Sequence, residues 1–260
     1  MSRTFAITNQ KGGVGKTTTA ISLGAYLAAR GSRVLLADVD PQANATSGLG
    51  FDKWRLDGSI YEVLLAGRPA ATTILKTNRN GLDLLPSSPN LAAAELELGD
   101  ADGRESRLRE ALASVASEYD FVLLDCPPSL GLLTLNGLVA AGDVIVPVQC
   151  EYLALEGLSL LLDTVERVRR ALNPELRVFG IVMTMFDPRT NLSEQVVEEV
   201  RTHYPAALFR TVIPRNVRLS EAPSHGKTIL DYDSASRGAA SYQALADEAL
   251  DRLGHLAGAA

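Results

Sequence analysis

The stretch Gln10-Lys11-Gly12-Gly13-Val14-Gly15-Lys16-Thr17-Thr18 decides how the rest of this chain is read. It follows a short apolar run, Thr4 to Thr8. It precedes Ala20, Leu23, Gly24, Leu27 and Ala28, which recur at helical spacing until Gly31 stops them. A strand, a glycine-rich loop and a helix in that order make a phosphate cradle. The glycines let backbone N–H groups converge on phosphate oxygens, and the helix adds the positive end of its dipole. Lys16 is placed to reach the β- and γ-phosphates of a nucleoside triphosphate, and the Thr17 hydroxyl to complete a Mg²⁺ shell. Gly12, Gly13, Val14, Gly15 and Thr18 supply the surrounding backbone, so ATP with Mg²⁺ is the expected ligand pair. The loop departs from the usual pattern at its start. The glycine ordinarily found five residues before Gly15 is replaced by Gln10, and Lys11 adds a cation for which the loop itself has no use.

Two carboxylate segments lie further out. Val34-Leu35-Leu36-Ala37-Asp38-Val39-Asp40-Pro41-Gln42 carries alternate acids that can face opposite ways on leaving a strand. Phe121-Val122-Leu123-Leu124-Asp125-Cys126-Pro127-Pro128-Ser129 is an apolar strand ending in an acid. Asp125 there would hold Mg²⁺ through its waters, because this ion keeps most of its hydration shell. A single Asp after a strand is as often a turn former. Three nucleotide-type segments in the expected order are far harder to obtain by chance.

Further apolar runs at Leu82–Leu85, Val144–Val148 and Val178–Thr184 alternate with helical stripes. One stripe is Leu158, Leu161, Leu162, Val165 and Val168; another is Tyr242, Leu245, Ala246, Ala249, Leu250 and Leu253, ended by Gly254. This alternation predicts an α/β fold, a mostly parallel twisted sheet with helices on both faces. Right-handed crossovers then gather the loops after the strands along one edge. The 260 residues read as a single domain, 1–260, with no repeat or long linker. Phe51 to Asn80 is the least regular stretch and receives no element.

With 46% hydrophobic and 22% charged residues, the composition is that of a globular protein with a full core. No apolar run of about 18 residues reads as a membrane span. Met1 to Thr8 lacks a basic head and a long apolar signal segment, so a cytoplasmic location is expected. Cys126 and Cys150 fit a reducing compartment and buried packing, and His203, His225 and His255 are too scattered for a metal cluster. The net charge of −6 argues against a nucleic-acid partner until the chain is read locally. From Pro205 to Leu230, Arg210, Arg215, Arg218 and Lys227 face Glu221 alone, a local net charge of +3.

The Lys-Gly-Gly-x-Gly-Lys-Thr loop resembles the deviant Walker A loop of the ParA/MinD superfamily of P-loop ATPases. In that family the first lysine reaches across a dimer interface to the partner's nucleotide. The resemblance therefore implies that role for Lys11 and an ATP-dependent homodimer. An added cation at the γ-phosphate would stabilise charge developing there. The resemblance also implies that Asp40 orients or activates the attacking water, with Asp38 a candidate for organising the metal shell. Lys11, Lys16 and Asp40 are then the expected catalytic residues, with Thr17 and Asp125 at the metal.

Three more segments resemble the ParA/Soj branch, which partitions chromosomes and plasmids. They are Pro147 to Gly157, Thr184 to Ser193 and Ile213 to Lys227. This resemblance implies that Pro214 and Asn216 lie at the adenine and that Arg189 and Arg218 belong to a DNA-binding surface. It further implies non-specific double-stranded DNA and a ParB-type centromere-binding protein as partners, and a nucleoid-associated location. Phosphate contacts by Arg and Lys need no base reading. No aromatic interleaving suggests stacking on single strands, which favours duplex. The alternative is a MinD-like membrane-cycling ATPase. Such proteins end in a basic amphipathic helix, whereas the polar face from Asp247 to Leu256 is largely acidic, so stable membrane association is not expected. Only nine residues precede Gln10, so no helix-turn-helix module is expected there. Cys126 lacks the C-x-x-C or glycine-flanked context of the iron–sulfur members of this fold.

Overall fold

Apolar runs of five to seven residues are too short for stable helices and long enough to cross a sheet, and here they do so. The computed structural model describes residues 2–99, 101–152 and 154–258, the last three by backbone alone. Met1, Leu153, Ala259 and Ala260, which the readings of the N-terminus, the 147–157 segment and the tail take in, lie outside them. The strands are β1 (Arg3–Ile7), β2 (Val34–Asp38), β3 (Leu75–Lys76), β4 (Leu82–Leu85), β5 (Phe121–Asp125), β6 (Asp143–Gln149), β7 (Arg177–Phe186) and β8 (Leu208–Pro214). They form one sheet in the order β3-β4-β2-β5-β1-β6-β7-β8. Every neighbouring pair is parallel except β3 with β4.

Successive side chains of a strand point to opposite faces, and each face carries its own core. On one face Leu35, Ala37, Val122, Leu124, Val144 and Val146 pack under α3 (Ile60–Leu65), α4 (Ala94–Leu98), α5 (Arg107–Ala113), α6 (Leu132–Ala140), α7 (Ala154–Ala171) and α8 (Asn191–His203). On the other, Val34, Leu36, Leu82, Leu84, Leu123 and Ile145 meet α1 (Lys16–Ala29), α2 (Asn44–Gly48), α9 (Val217–Ser224), α10 (Ile229–Tyr232) and α11 (Arg237–Gly258). The chain leaves β1 towards β2 on one side and later returns past it to β6. The carboxyl end of β1 is therefore the switch point where loops open a crevice.

The structure corrects one expectation, the end of the last helix, and fills two stretches the sequence left without elements. The basic window contains a strand, β8, whose exposed Arg210 interrupts an otherwise half-buried run. Helix α11 continues through Gly254, because an exposed glycine inside a well-packed helix costs only about 1 kcal/mol. The unassigned 51–80 stretch holds α3, started by a Ser59–Glu62 capping box, and the two-residue β3.

Candidate nucleotide site and basic surface

The loop leaves β1 through Asn9, which ties it down at both ends of its amide. Its Nδ2 donates to Pro147 O at 2.7 Å, and its Oδ1 accepts from Lys11 N at 3.0 Å. Gly13 and Gly15 adopt φ of +75° and +90°, the left-handed region that glycine occupies without strain. Gly15 caps α1, and no heavy atom lies within 4 Å of where a Cβ would project from Gly12 or Gly13. This open backbone is the phosphate-sized cradle the motif requires. The other side is fastened by Thr184 at the carboxyl end of β7, whose hydroxyl donates to Val14 O at 2.8 Å. Lys16 is buried and its Nζ donates to Lys11 O at 3.0 Å, folding the ammonium back over the loop. Burial lowers the Lys16 pKa, while the carboxylates of Asp125 and Asp40 pull it back up. Thr17 and Thr18 are half-buried on the first turn of α1, and Gln10 Nε2 is buried without a partner.

Asp38, Asp40 and Asp125 are all buried and their charges act on one another, while those of Asp125 and Asp40 also act on Lys16. Asp38 closes β2, and Asp40 N donates to Asp38 Oδ1 at 3.3 Å. Asp38 is pushed up to about 7 by burial, against hydrogen bonds from the Thr46 hydroxyl and N–H that favour its ionised form. Burial, with Asp38 close by, raises Asp125 well above the carboxylate range. Both Asp125 oxygens are buried with no hydrogen-bond partner. The Thr17 hydroxyl lies close enough to favour its charged form without meeting it in hydrogen-bond geometry. A buried carboxylate left in this state calls for a cation. Among the described residues no three His, Cys, Asp or Glu side chains form a metal cage, so the group that fits is an ion needing few protein ligands. A hydrated Mg²⁺ held by Thr17 and, through water, by Asp125 meets that condition.

Lys11 does have a partner within its own chain. Its Nζ is ion-paired with Glu151, just beyond β6, and the Lys11 side chain is about half exposed. Exposed Tyr152 and Leu130 lie on the two loops that follow β6 and β5. Cys126 and Cys150 are free and buried, with thiol pKa values raised by burial, for Cys150 up to about 12.

Pro214 ends β8 opposite Phe186, two residues beyond Thr184, so the segment expected at the adenine reaches the same sheet edge. Asn216 caps α9, its Oδ1 accepting from Arg218 N at 2.9 Å. Next to Phe186, Met185 holds φ of +53°, a strained value for a side chain of its size. Arg189 is exposed but doubly bonded to Asp187, at 2.9 and 2.6 Å. That pairing holds Asp187 below the usual carboxylate range. Arg218 is likewise paired, with Glu221 at 2.8 Å and Asp233 at 3.3 Å. The exposed Arg215 and Lys227 make no ion pair with the described residues, although only their contribution to the local charge count pointed to them. No helix among the described residues is long and apolar enough to cross a membrane.

The fold and the loop define a P-loop nucleotide-binding protein, and a family profile described as an AAA domain matches residues 2–178. Chromosome partitioning protein ParA of Myxococcus xanthus is 54% identical over 250 residues, 96% of this chain and 88% of that protein. Sporulation initiation inhibitor protein Soj of Bacillus subtilis is 54% identical over 248 residues, 95% of this chain and 98% of that one. This chain belongs to the ParA/Soj family of chromosome-partitioning ATPases. Among solved structures, cobyrinic acid a,c-diamide synthase from Mycobacterium smegmatis, with bound ADP and magnesium, superposes with a TM-score of 0.84. It is 42% identical and the match covers 95% of this chain and 93% of that one. The cell-division ATPase MinD of Pyrococcus furiosus shares the fold, with a TM-score of 0.78 at 25% identity over 97% of this chain and 100% of that one.

Proposed function

We propose that this chain is an ATP-driven DNA-partitioning protein acting as a single domain, residues 1–260. The observation that carries the reading is the buried, unpartnered Asp125 beside the open loop and folded-back Lys16, in a chain about half identical to partitioning proteins. Gly12 to Thr18 hold the phosphates of ATP, with Lys16 leaving the Lys11 carbonyl for the β- and γ-oxygens. Pro214 and Asn216 bound the adenine. Thr17 and Asp125 hold Mg²⁺, which supplies charge neutralisation across the phosphates. Asp40 orients the attacking water. Two protomers close over their nucleotides, Lys11 exchanging Glu151 for the partner's phosphates.

Closure joins two basic surfaces into one bivalent one, so duplex DNA is held far more tightly by the dimer than by a protomer. Arg189, Arg215, Arg218 and Lys227 make phosphate contacts there, without base reading. A ParB-type partner accelerates hydrolysis and the dimer leaves the DNA, so the γ-phosphate acts as the switch ligand. The chain works in the cytoplasm on the nucleoid. The deciding experiment is duplex-DNA binding with ATP, ADP or no nucleotide across a salt series. Binding that is selective for ATP, indifferent to sequence and steeply weakened by salt is the expected result. Equal binding in all three nucleotide states, or ATP-dependent sedimentation with anionic liposomes instead, would defeat it.

A further inference from the structure

The nucleotide site and helix α9, which carries Arg218, are on different elements, and α2 touches both. Thr46, fully buried in α2, donates its N–H and its hydroxyl to Asp38 Oδ2 at 2.8 and 2.7 Å. The same hydroxyl accepts from Ser87 N at 2.9 Å, and Ser87 Oγ donates to the Asp40 carbonyl at 2.8 Å. Thr46 therefore ties α2 to Asp38 directly and to the Asp40 backbone through Ser87. The residue before α2, Ala43, is buried at φ of +50°, a strained conformation for alanine that the surrounding contacts must enforce.

The far end of α2 packs closely on α1 and α9: a Cβ on Gly48 would lie 3.0 Å from Ile21 Cδ1 and 3.3 Å from Pro223 Cβ. Just past the two helices, a Cβ on Gly226 would lie 2.7 Å from Gly50 Cα, so there backbone meets backbone with no side chain to absorb a displacement. Beyond α2, Lys53 Nζ donates to the Gln42 carbonyl at 2.6 Å, and Gln42 N donates to Asp40 Oδ1 at 2.8 Å. The next residue is Trp54, the sole tryptophan of the chain and largely exposed.

We propose that α2 is a lever that transmits the state of the nucleotide site to α9 and its Arg218, with Thr46 as the positioning residue at one end and Pro223 as the contact at the other. The proposal rests on the nucleotide reading of the loop, though not on the identity of what α9 binds. A change in what Asp38 and Asp40 face is passed through Thr46 to the helix, and the strained Ala43 junction gives the segment a second arrangement to adopt. Trp54 rides on this segment and reports its position.

Trp54 emission is to be followed on titration with MgATP and MgADP, beside duplex-DNA binding under the same conditions. In the wild type MgATP shifts the emission and MgADP does not, and DNA affinity differs between the two by about tenfold or more, the scale of ordinary coupling between sites. At saturating MgATP, Thr46→Val loses both responses and Thr46→Ser retains them. Pro223→Gly, which removes the Cβ that faces Gly48, keeps the Trp54 response and loses the nucleotide selectivity of DNA binding. A wild type whose Trp54 ignores nucleotide, or a Thr46→Val that responds as the wild type does, overturns the lever. If Thr46→Val cannot be saturated, Pro223→Gly decides: retained selectivity overturns the proposal and lost selectivity supports it. Absent ATP-selective DNA binding in the wild type would defeat the partitioning reading, while the Trp54 comparison would still decide whether α2 senses the nucleotide.

Discussion

Lys11 and Lys16 share one loop and are held in opposite ways. Lys16 is buried on a carbonyl, whereas Lys11 is half exposed and ion-paired with Glu151. Removing a buried charge from its ligand is expensive, so Lys16→Ala should weaken nucleotide binding by about 100-fold or more. An exposed ion pair is worth about 1 kcal/mol or less, so Lys11→Ala should leave fold and nucleotide binding nearly intact while abolishing ATP-dependent dimers. Calorimetry and sedimentation separate the two variants. The buried acids make a second prediction. Asp38 rises from an ordinary value of 3.8 to about 7 on folding, so the native state binds the extra proton between those values. Stability from this group is full below about pH 4 and is lost as pH rises through about 7. Melting temperature without nucleotide should fall across that window, and Mg²⁺ with nucleotide should reduce the fall. At this scale the loop and the three acids were legible, because each lies beside an apolar strand. The Glu151 partner of Lys11 was not, because nothing local marks a contact across 140 positions of chain.

At the scale of elements, β8 shows what a sequence pattern conceals. Arg210 points outward from its middle, and the window reads as charge instead of strand. The strand is held by Glu248 of α11, whose carboxylate accepts from Arg210 N at 2.8 Å and from Thr211 N and Oγ1 at 2.9 and 2.8 Å. Glu248 had seemed part of an acidic solvent face, yet it is turned inward and covers backbone donors on the sheet's edge strand. Glu248→Ala should destabilise the protein by about 2 kcal/mol, because it leaves part-buried backbone donors of the edge strand without their charged acceptor. Urea unfolding measures this, and Glu248→Gln, which keeps an acceptor oxygen, should lose less. Helix α3 and strand β3 escaped notice for a different reason. Six and two residues are too few for a periodicity to emerge, and their order comes from packing.

For the whole molecule, the alternation of apolar runs with helical stripes was enough to define the architecture. In a parallel sheet both faces must be covered, and the loops that follow the strands are then gathered at one edge. That edge carries the phosphate loop after β1, the acids of β2 and β5, and Pro214 at the end of β8. The basic surface is a property of the same scale, since it sums cations from several elements. Arg215→Glu and Lys227→Glu should each weaken duplex binding at every sequence alike, and each lost phosphate contact should lower the salt slope by about one. Arg218→Glu should still form ATP-dependent dimers and fail to shift duplex DNA; a normal shift would remove it from the surface. The Lys11–Glu151 pair adds a last consequence. In the proposed closure Lys11 trades a carboxylate for a phosphate, so one anion replaces another, and ionic strength acts almost equally on both sides of that trade. Attachment to DNA instead expels condensed counterions, and salt opposes it without compensation. There should therefore be a range of salt in which closed, nucleotide-loaded dimers drift free of DNA, shut but unmoored.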